Sequence, residues 1–295
     1  MLRKRTDLAM EAHELWSAGH EEAHTGVSSK QHDVLGYQVT AVQIKNRSAA
    51  EALGKPIGAY STLDLRPYWD HSPDALKRAA QAVAQELRAL IGSAITSALV
   101  VGLGNSAMTP DAIGPQAMEH ILVTRHLSEN KAFASLCMVS VLIPGVSGRT
   151  GMEAAETIRG AVRTVKPDVV LAVDALASRS LNRVCTTIQL SNTGIIPGSG
   201  VGNHRKALNR STLGVPVIAI GVPTVVDAAT LTLDILEETG AENPNPSALR
   251  EYGANILVTP RDIDAQIREL SRITGYGINL ALQPIAYEEL CALMG

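Results

Sequence analysis

Apolar positions recur at helical spacing from Asp7 to Ser17, where Leu8, Ala12 and Leu15 share a face and Gly19 offers a stop. From Tyr37 to Lys45, and again from Ala59 to Leu65, the pattern turns toward alternation. The turn signal Gly54-Lys-Pro56 lies between the two runs, which predict the strands of an antiparallel edge. Ser72-Pro73-Asp74 starts a helix, and the alanine-rich amphipathic stretch Ala75 to Ile91 carries it along the sheet.

Beyond this helix the chain alternates regularly. Strand 98–103 precedes helix 113–127, strand 136–143 precedes helix 151–165, strand 168–174 comes next, and strand 215–221 precedes helix 224–239. Such βα alternation predicts an α/β fold, a mostly parallel sheet with helices on both faces and right-handed crossovers, plus a small N-terminal β/helix extension. Between residues 175 and 214 the pattern breaks into a β-branched segment, Val184 to Leu190, and a turn-rich stretch, Asn192 to Asn203. After the polar loop Glu242 to Pro246 come two helical segments, Asp262 to Leu282 and Ala286 to Met294. The expected organisation is a single α/β domain over 1–295, with 1–70 as an N-terminal extension and 240–295 as a C-terminal helical part.

Composition narrows the picture. The chain has 295 residues, 45% hydrophobic but only 3% aromatic, so its core must be aliphatic and rich in alanine. A formal charge of −3 gives no sign of a basic surface, and no direct contact with nucleic acid is expected. No apolar run approaches the roughly 18 residues of a membrane span, and Met1 to Arg5 lacks a signal-peptide stretch, so a cytoplasmic location without membrane attachment is expected. Cys137, Cys185 and Cys291 form no C-x-x-C and read as buried free thiols.

The candidate chemistry centres on two acids. Asp111 follows the buried strand 98–103 through a glycine-rich turn, and Asp174 ends the buried strand 168–174. In open parallel sheets ligands gather beyond the carboxyl ends of the strands, so these two acids are expected to share a cleft. Asp111 also reads as a helix N-cap; Asp174 is harder to explain structurally, because a desolvated carboxylate needs a partner. Asp227, at the end of a third strand, reads as that partner or as a cap. Asn105, Thr109, Ser178, Gly198 and Gly200 are candidate supporting residues, and the Pro197 to Asn203 loop offers backbone N–H groups with Arg205 and Lys206 behind it.

Competing motifs are weaker. His20-Glu21-Glu22-Ala23-His24 is a literal H-E-x-x-H, the pattern of a zinc protease, but it is squeezed between Gly19 and Gly26 in a polar stretch. Gly102-Leu-Gly104 after a strand matches a relaxed dinucleotide fingerprint, yet Pro110 opposes an immediate helix. Ser147 and Ser199 read as turn residues.

Seven runs in order give a more specific signal: Arg5-Thr-Asp-Leu-Ala9, Thr109 to Pro115, Pro144 to Gly151, Val173 to Ser178, Val184 to Gln189, Pro197 to Asn203 and Gly221 to Asp227. With these runs the chain resembles the germination proteases of spore-forming bacteria, from its N-terminus to about residue 235. The resemblance implies an endopeptidase that degrades small acid-soluble spore proteins during germination in the spore core. It also implies a fold similar to the hydrogenase maturation proteases, a homotetramer, and an essential aspartate pair that falls on Asp111 and Asp174. A divalent metal in the acidic cleft is not expected to be required. Family members are typically zymogens, and only Met1 to Lys4 precede the first run, so a propeptide is expected to be very short, absent from this chain or differently placed. A zinc protease built on His20, Glu21 and His24 and a non-catalytic maturation or binding protein with an acidic cleft are the alternatives.

Overall fold

The strand Ser97–Gly102 is buried at every position, which in a sheet requires cover on both faces. In the computed structural model, which describes residues 6–19, 25–92, 95–198, 205–239 and 256–294, that cover comes from two helical layers. The chain begins with helix α1 (Ala9–Ala18), the hairpin β1 (Val27–Val34) and β2 (Tyr37–Ile44), the short helix α2 (Arg47–Leu53) and β3 (Gly58–Asp64). Helix α3 (Ala75–Ile91) leads to β4 (Ser97–Gly102), α4 (Ile113–Met118), β5 (Met138–Leu142), the single turn α5 (Ser147–Thr150) and α6 (Ala154–Val165). Then follow β6 (Val169–Ser178), β7 (Thr187–Ser191), α7 (Arg210–Leu213), β8 (Val217–Asp227), α8 (Ala228–Glu238), β9 (Leu257–Val258), α9 (Ile263–Leu282) and α10 (Tyr287–Met294).

The period-two geometry of strands divides their side chains between the layers. Ala98, Val100, Leu171, Val173, Ile218 and Ile220 join the core beneath α3, α4 and α9. Their neighbours Leu99, Val101, Val170, Ala172 and Val217 point the other way, against Ala155, Ile158 and Val162 of α6. At the far end of the sheet α1 and α2 bury Ala9, Ala12, Ala49 and Leu53 on Val42, Ile44 and Tyr60.

The sheet is mixed rather than mostly parallel. Its order is β1-β2-β3-β7-β8-β6-β4-β5, with β9 paired to β8. The β5–β4, β4–β6 and β6–β8 pairings are parallel, whereas β1–β2, β2–β3, β3–β7, β7–β8 and β8–β9 are antiparallel. Connection length explains the difference, because a parallel return needs a crossover of about a dozen residues or more. Residues 179–186 join β6 to β7 with only a 3-10 turn at Leu181–Arg183, so β7 returns antiparallel. The N-terminal strands attach through β3 to β7 and thereby continue the main sheet.

Two elements differ in length from expectation in ways that shape the site. Helix α4 stops at Met118 because Asn279 of α9 takes over the following backbone, its Oδ1 accepting from the Leu122 N–H at 2.9 Å and its Nδ2 donating to His120 O at 2.8 Å. Strands β6 and β8 run past Asp174 and Gly221 and stay paired to Ser178 and Val226, with a register shift after Leu176. Asp174 therefore sits within a strand.

The first turn of α4 presses directly on the end of β4 and on the middle of β6. A Cβ on Gly114 would fall 2.0 Å from Leu103 O and 2.7 Å from Val173 O, and one on Gly102 would fall 2.4 Å from Gly114 O. Backbone-to-backbone contact of this kind leaves a side chain no direction in which to yield. Gly114→Ala should lose roughly 2–4 kcal/mol in urea unfolding, by forcing α4 off the sheet; an unchanged midpoint would mean that the contact is soft.

Candidate active site

The same close approach sets Asp111. Gly104, at φ +112°, lies so near that a Cβ there would meet Asp111 O at 2.1 Å. The loop from Gly104 to Asp111 folds back on itself. Asn105 N–H donates to Asp111 O at 3.0 Å and to Asp111 Oδ2 at 2.8 Å, and Asp111 N–H donates to Met108 O at 2.8 Å. Thr224 Oγ1 of β8 donates to Pro110 O at 2.6 Å and ties the loop to the neighbouring strand end. The N-cap of α4 is Ala112, with no side-chain cap, so Asp111 is held by its own loop instead of capping the helix. The two glycines that mimic a dinucleotide fingerprint thus make room for α4 and for Asp111.

Asp174 is 5% exposed, pairs across β6–β8 with Gly221, and accepts a hydrogen bond from the Ala175 N–H at 3.0 Å. Burial pushes its carboxyl well above the usual range; the like charges of Asp111 and Asp7 push it further, while the Ala175 N–H and Arg205 oppose them. Burial also raises Asp111, against the Asn105 N–H and Arg205. Both acids line one cleft of about 400 Å³ together with Asp7, Asn105, Gly198 and Arg205. The negative charge of Asp111 thus adds to burial in disfavouring ionisation of Asp174.

The remaining candidates separate. Asn105 and Gly198 lie at the cleft, whereas Thr109 takes part in the 3-10 turn behind Asp111 and does not line it. Ser178 is buried beyond it, within hydrogen-bond reach of Glu11 Oε1 and Ser180 O. Asp227 caps α8: Thr230 N–H and Oγ1 both donate to its Oδ1, at 2.9 and 3.1 Å. That is the cap reading of Asp227, with the acid outside the cleft. Gly200 and the His20, Glu21, His24 motif lie outside the described residues. Cys137 and Cys185 are buried, and burial lifts their thiols to about 11 and about 12, too high for a nucleophilic thiolate near neutral pH. Among the described residues no group of three or more His, Cys, Asp or Glu is disposed to hold a metal ion, and no helix is long and apolar enough to cross a membrane.

Asp7 is the residue that sequence reasoning missed as part of the site. Its run was visible, but it reads locally as a helix start, and only the fold carries it to Ala177, whose N–H it accepts at 2.9 Å across a separation of 170 residues.

The model of the family described as germination protease matches residues 5–240. The chain belongs to the germination protease family. A curated germination protease of Caldanaerobacter subterraneus is 43% identical, over 95% of this chain and 94% of its own length. One from Clostridium perfringens is 42% identical over 96% of both chains, and one from Bacillus mycoides is 37% identical over 94% and 93%. Among solved structures, an NiFe hydrogenase maturation protease from Thermococcus kodakarensis aligns with 47% of this chain and 80% of its own at 20% identity, with a TM-score of 0.31, too low to bear on the fold. As a member of the germination protease family the chain is a peptide-bond hydrolase, and its aspartate cleft lies within the matched residues.

The raised carboxyl has a consequence for stability. A group whose folded-state pKa lies above its unfolded value gives its full stabilisation below about pH 4 and loses it as pH rises through the folded value. Asp174→Asn, which has no charge to form, should therefore melt above the wild type at pH 8 and converge with it toward pH 4; a variant that is less stable at both pH values would show that Asp174 is ionised and paired in the fold.

Proposed function

We propose that the protein is an endopeptidase that initiates degradation of small acid-soluble spore proteins during germination, in the spore core, using water activated by Asp111 and Asp174. The observation that carries this reading is the placement of two desolvated carboxyls in one cleft, Asp111 on the loop after β4 and Asp174 within the neighbouring strand β6 and nearly out of solvent. Asp174, the more deeply buried and the more strongly raised, is the proton donor; Asp111, anchored by the Asn105 N–H, is the base.

In this mechanism Asp111 takes a proton from water as its oxygen attacks the scissile carbonyl carbon, while Asp174 donates a hydrogen bond and then its proton to the carbonyl oxygen. Collapse of the tetrahedral intermediate breaks the C–N bond. Asp111 passes its new proton to the leaving amine, and the hydroxyl proton of the intermediate returns to Asp174. The pair ends as it began, so no cofactor or obligatory metal enters the scheme. A homotetramer, as in the resemblance, belongs to the same proposal. Family membership favours hydrolysis over the zinc-protease and binding-protein readings.

Incubation with a small acid-soluble spore protein, with and without chelator, should give discrete internal cuts by mass spectrometry in both arms. Asp111→Asn and Asp174→Asn should each lower turnover by about 10²–10⁴-fold with the fold intact. Near-normal turnover by either variant would overturn the aspartate pair, and loss of cutting in chelator would overturn the metal-free scheme.

A further inference from the structure

Arg205 reaches the aspartate cleft from a stretch of chain whose backbone is fixed just behind it. Ile195 and Leu208 form an isolated antiparallel bridge, with Ile195 N–H donating to Leu208 O at 2.9 Å and Leu208 N–H to Ile195 O at 2.8 Å. The bridge is tight. Gly194, at φ +76°, passes so close that a Cβ there would meet Leu208 O at 2.0 Å. Leu208 is fully buried in the core beneath α6, and Asn209 caps α7, its Oδ1 accepting from the Thr212 N–H at 3.1 Å. Lys206 adds an outer tie, pairing with Glu156 of α6 at 3.3 Å. Arg205 is therefore presented by anchored chain.

Among the described residues that line the cleft, Arg205 is the one cation, set among acids. Its charge acts on both Asp111 and Asp174 and opposes the rise of their carboxyls, yet its guanidinium makes no hydrogen bond or ion pair with any described residue. Other arginines of this chain are differently placed: Arg66, Arg179 and Arg183 are each paired with a carboxylate. An arginine is always charged and offers five N–H donors in a planar fork. A guanidinium close enough to be felt by two acids, but bonded to neither, leaves those donors for an oxygen that arrives with the substrate.

We propose that Arg205 is a catalytic residue that donates to the oxygen of the scissile carbonyl, beside the hydrogen bond from Asp174. The proposal rests on the aspartate-pair reading of the cleft. A carbonyl oxygen has two lone pairs, so it can accept from both donors at once. As the water oxygen bonds to the carbonyl carbon, the π pair of the C=O bond moves onto the carbonyl oxygen while Asp111 takes the proton of the water. Negative charge then builds in a water-poor cleft, and a fixed cation stabilises it there more than it stabilises the neutral ground-state carbonyl. Arg205 keeps its own protons throughout. Asp174 supplies the proton that neutralises the oxygen, and the C–N bond then breaks with the proton on Asp111 passing to the leaving amine.

The test is steady-state cleavage of a small acid-soluble spore protein by the full chain and its variants. Arg205→Ala should lower kcat by about 10²–10³-fold and change KM by no more than about threefold, because the contact strengthens only in the transition state. Arg205→Lys, which keeps the charge but loses the fork, should fall between Arg205→Ala and the wild type. Guanidinium chloride, added well below denaturing concentrations, should raise the kcat of Arg205→Ala by about tenfold or more and leave Asp174→Asn inactive. A merely structural role would not give that rescue. Wild-type kcat in Arg205→Ala overturns the proposal, as does a loss confined to KM, which would mark an anchor for a substrate side chain. A fall in kcat that neither Arg205→Lys nor guanidinium eases overturns it too, since it would mark Arg205 as a prop for the wall. Asp174→Asn separates the two levels. If it cuts at a near-normal rate, the aspartate pair itself fails; if it is inactive while Arg205→Ala cuts like the wild type, only the role of Arg205 fails.

Discussion

A carboxyl placed in the middle of a buried parallel strand has given up water, and this loss is what pushes Asp174 well above the usual carboxylate range. Strands β4, β6 and β8 must be apolar on both faces because helices cover both sides. An acid in that setting is costly when charged, and two further acids nearby make it costlier. The sheet thus does more than display the residue. It supplies the low-polarity surroundings that raise this carboxyl above the usual range.

The second requirement is proximity, and it is met by absence of side chains. Gly102 and Gly114 bring the start of α4 against the end of β4 and the middle of β6, and Gly104 lets the loop close on Asp111. Thr224 then locks that loop to β8 through Pro110. The glycine pattern and the acids belong to one device, in which close backbone packing fixes the position of a carboxylate that would otherwise ride on a mobile loop.

Much of the fold was legible because periodicity is a local signal. Helix α3 spans Ala75–Ile91 as its amphipathic pattern predicts, and the strand cores at β4, β5, β6 and β8 lie where the apolar runs lie. What the pattern missed has physical causes. Strand β1, Val27–Val34, is polar along most of its length because it is an edge strand facing solvent, and it is held by its pairing to β2. The antiparallel edge formed by β2 and β3 was legible in the sequence, but the antiparallel return of β7 beside β8 was not, because periodicity carries no strand direction. Asp111 and Asp174 were visible as acids at strand ends, and Asp227 was equally visible, but only coordinates separate a cap from a cleft residue. Asp7 lay in a visible run but read locally as a helix start, and its place near Asp174 exists only when residues 6–8 lie across β6.

The central claim concerns a proton, so the most direct measurement counts it. With aspartate carboxyl carbons labelled, NMR titration of the full chain should find a cleft carboxyl that keeps its proton well above the usual carboxylate range, assigned to Asp174 by its loss in Asp174→Asn. Its deprotonation should coincide with the fall of turnover on the alkaline side. Two carboxyls that titrate independently near the ordinary value of about 4, with activity unaffected as they do so, would contradict the account.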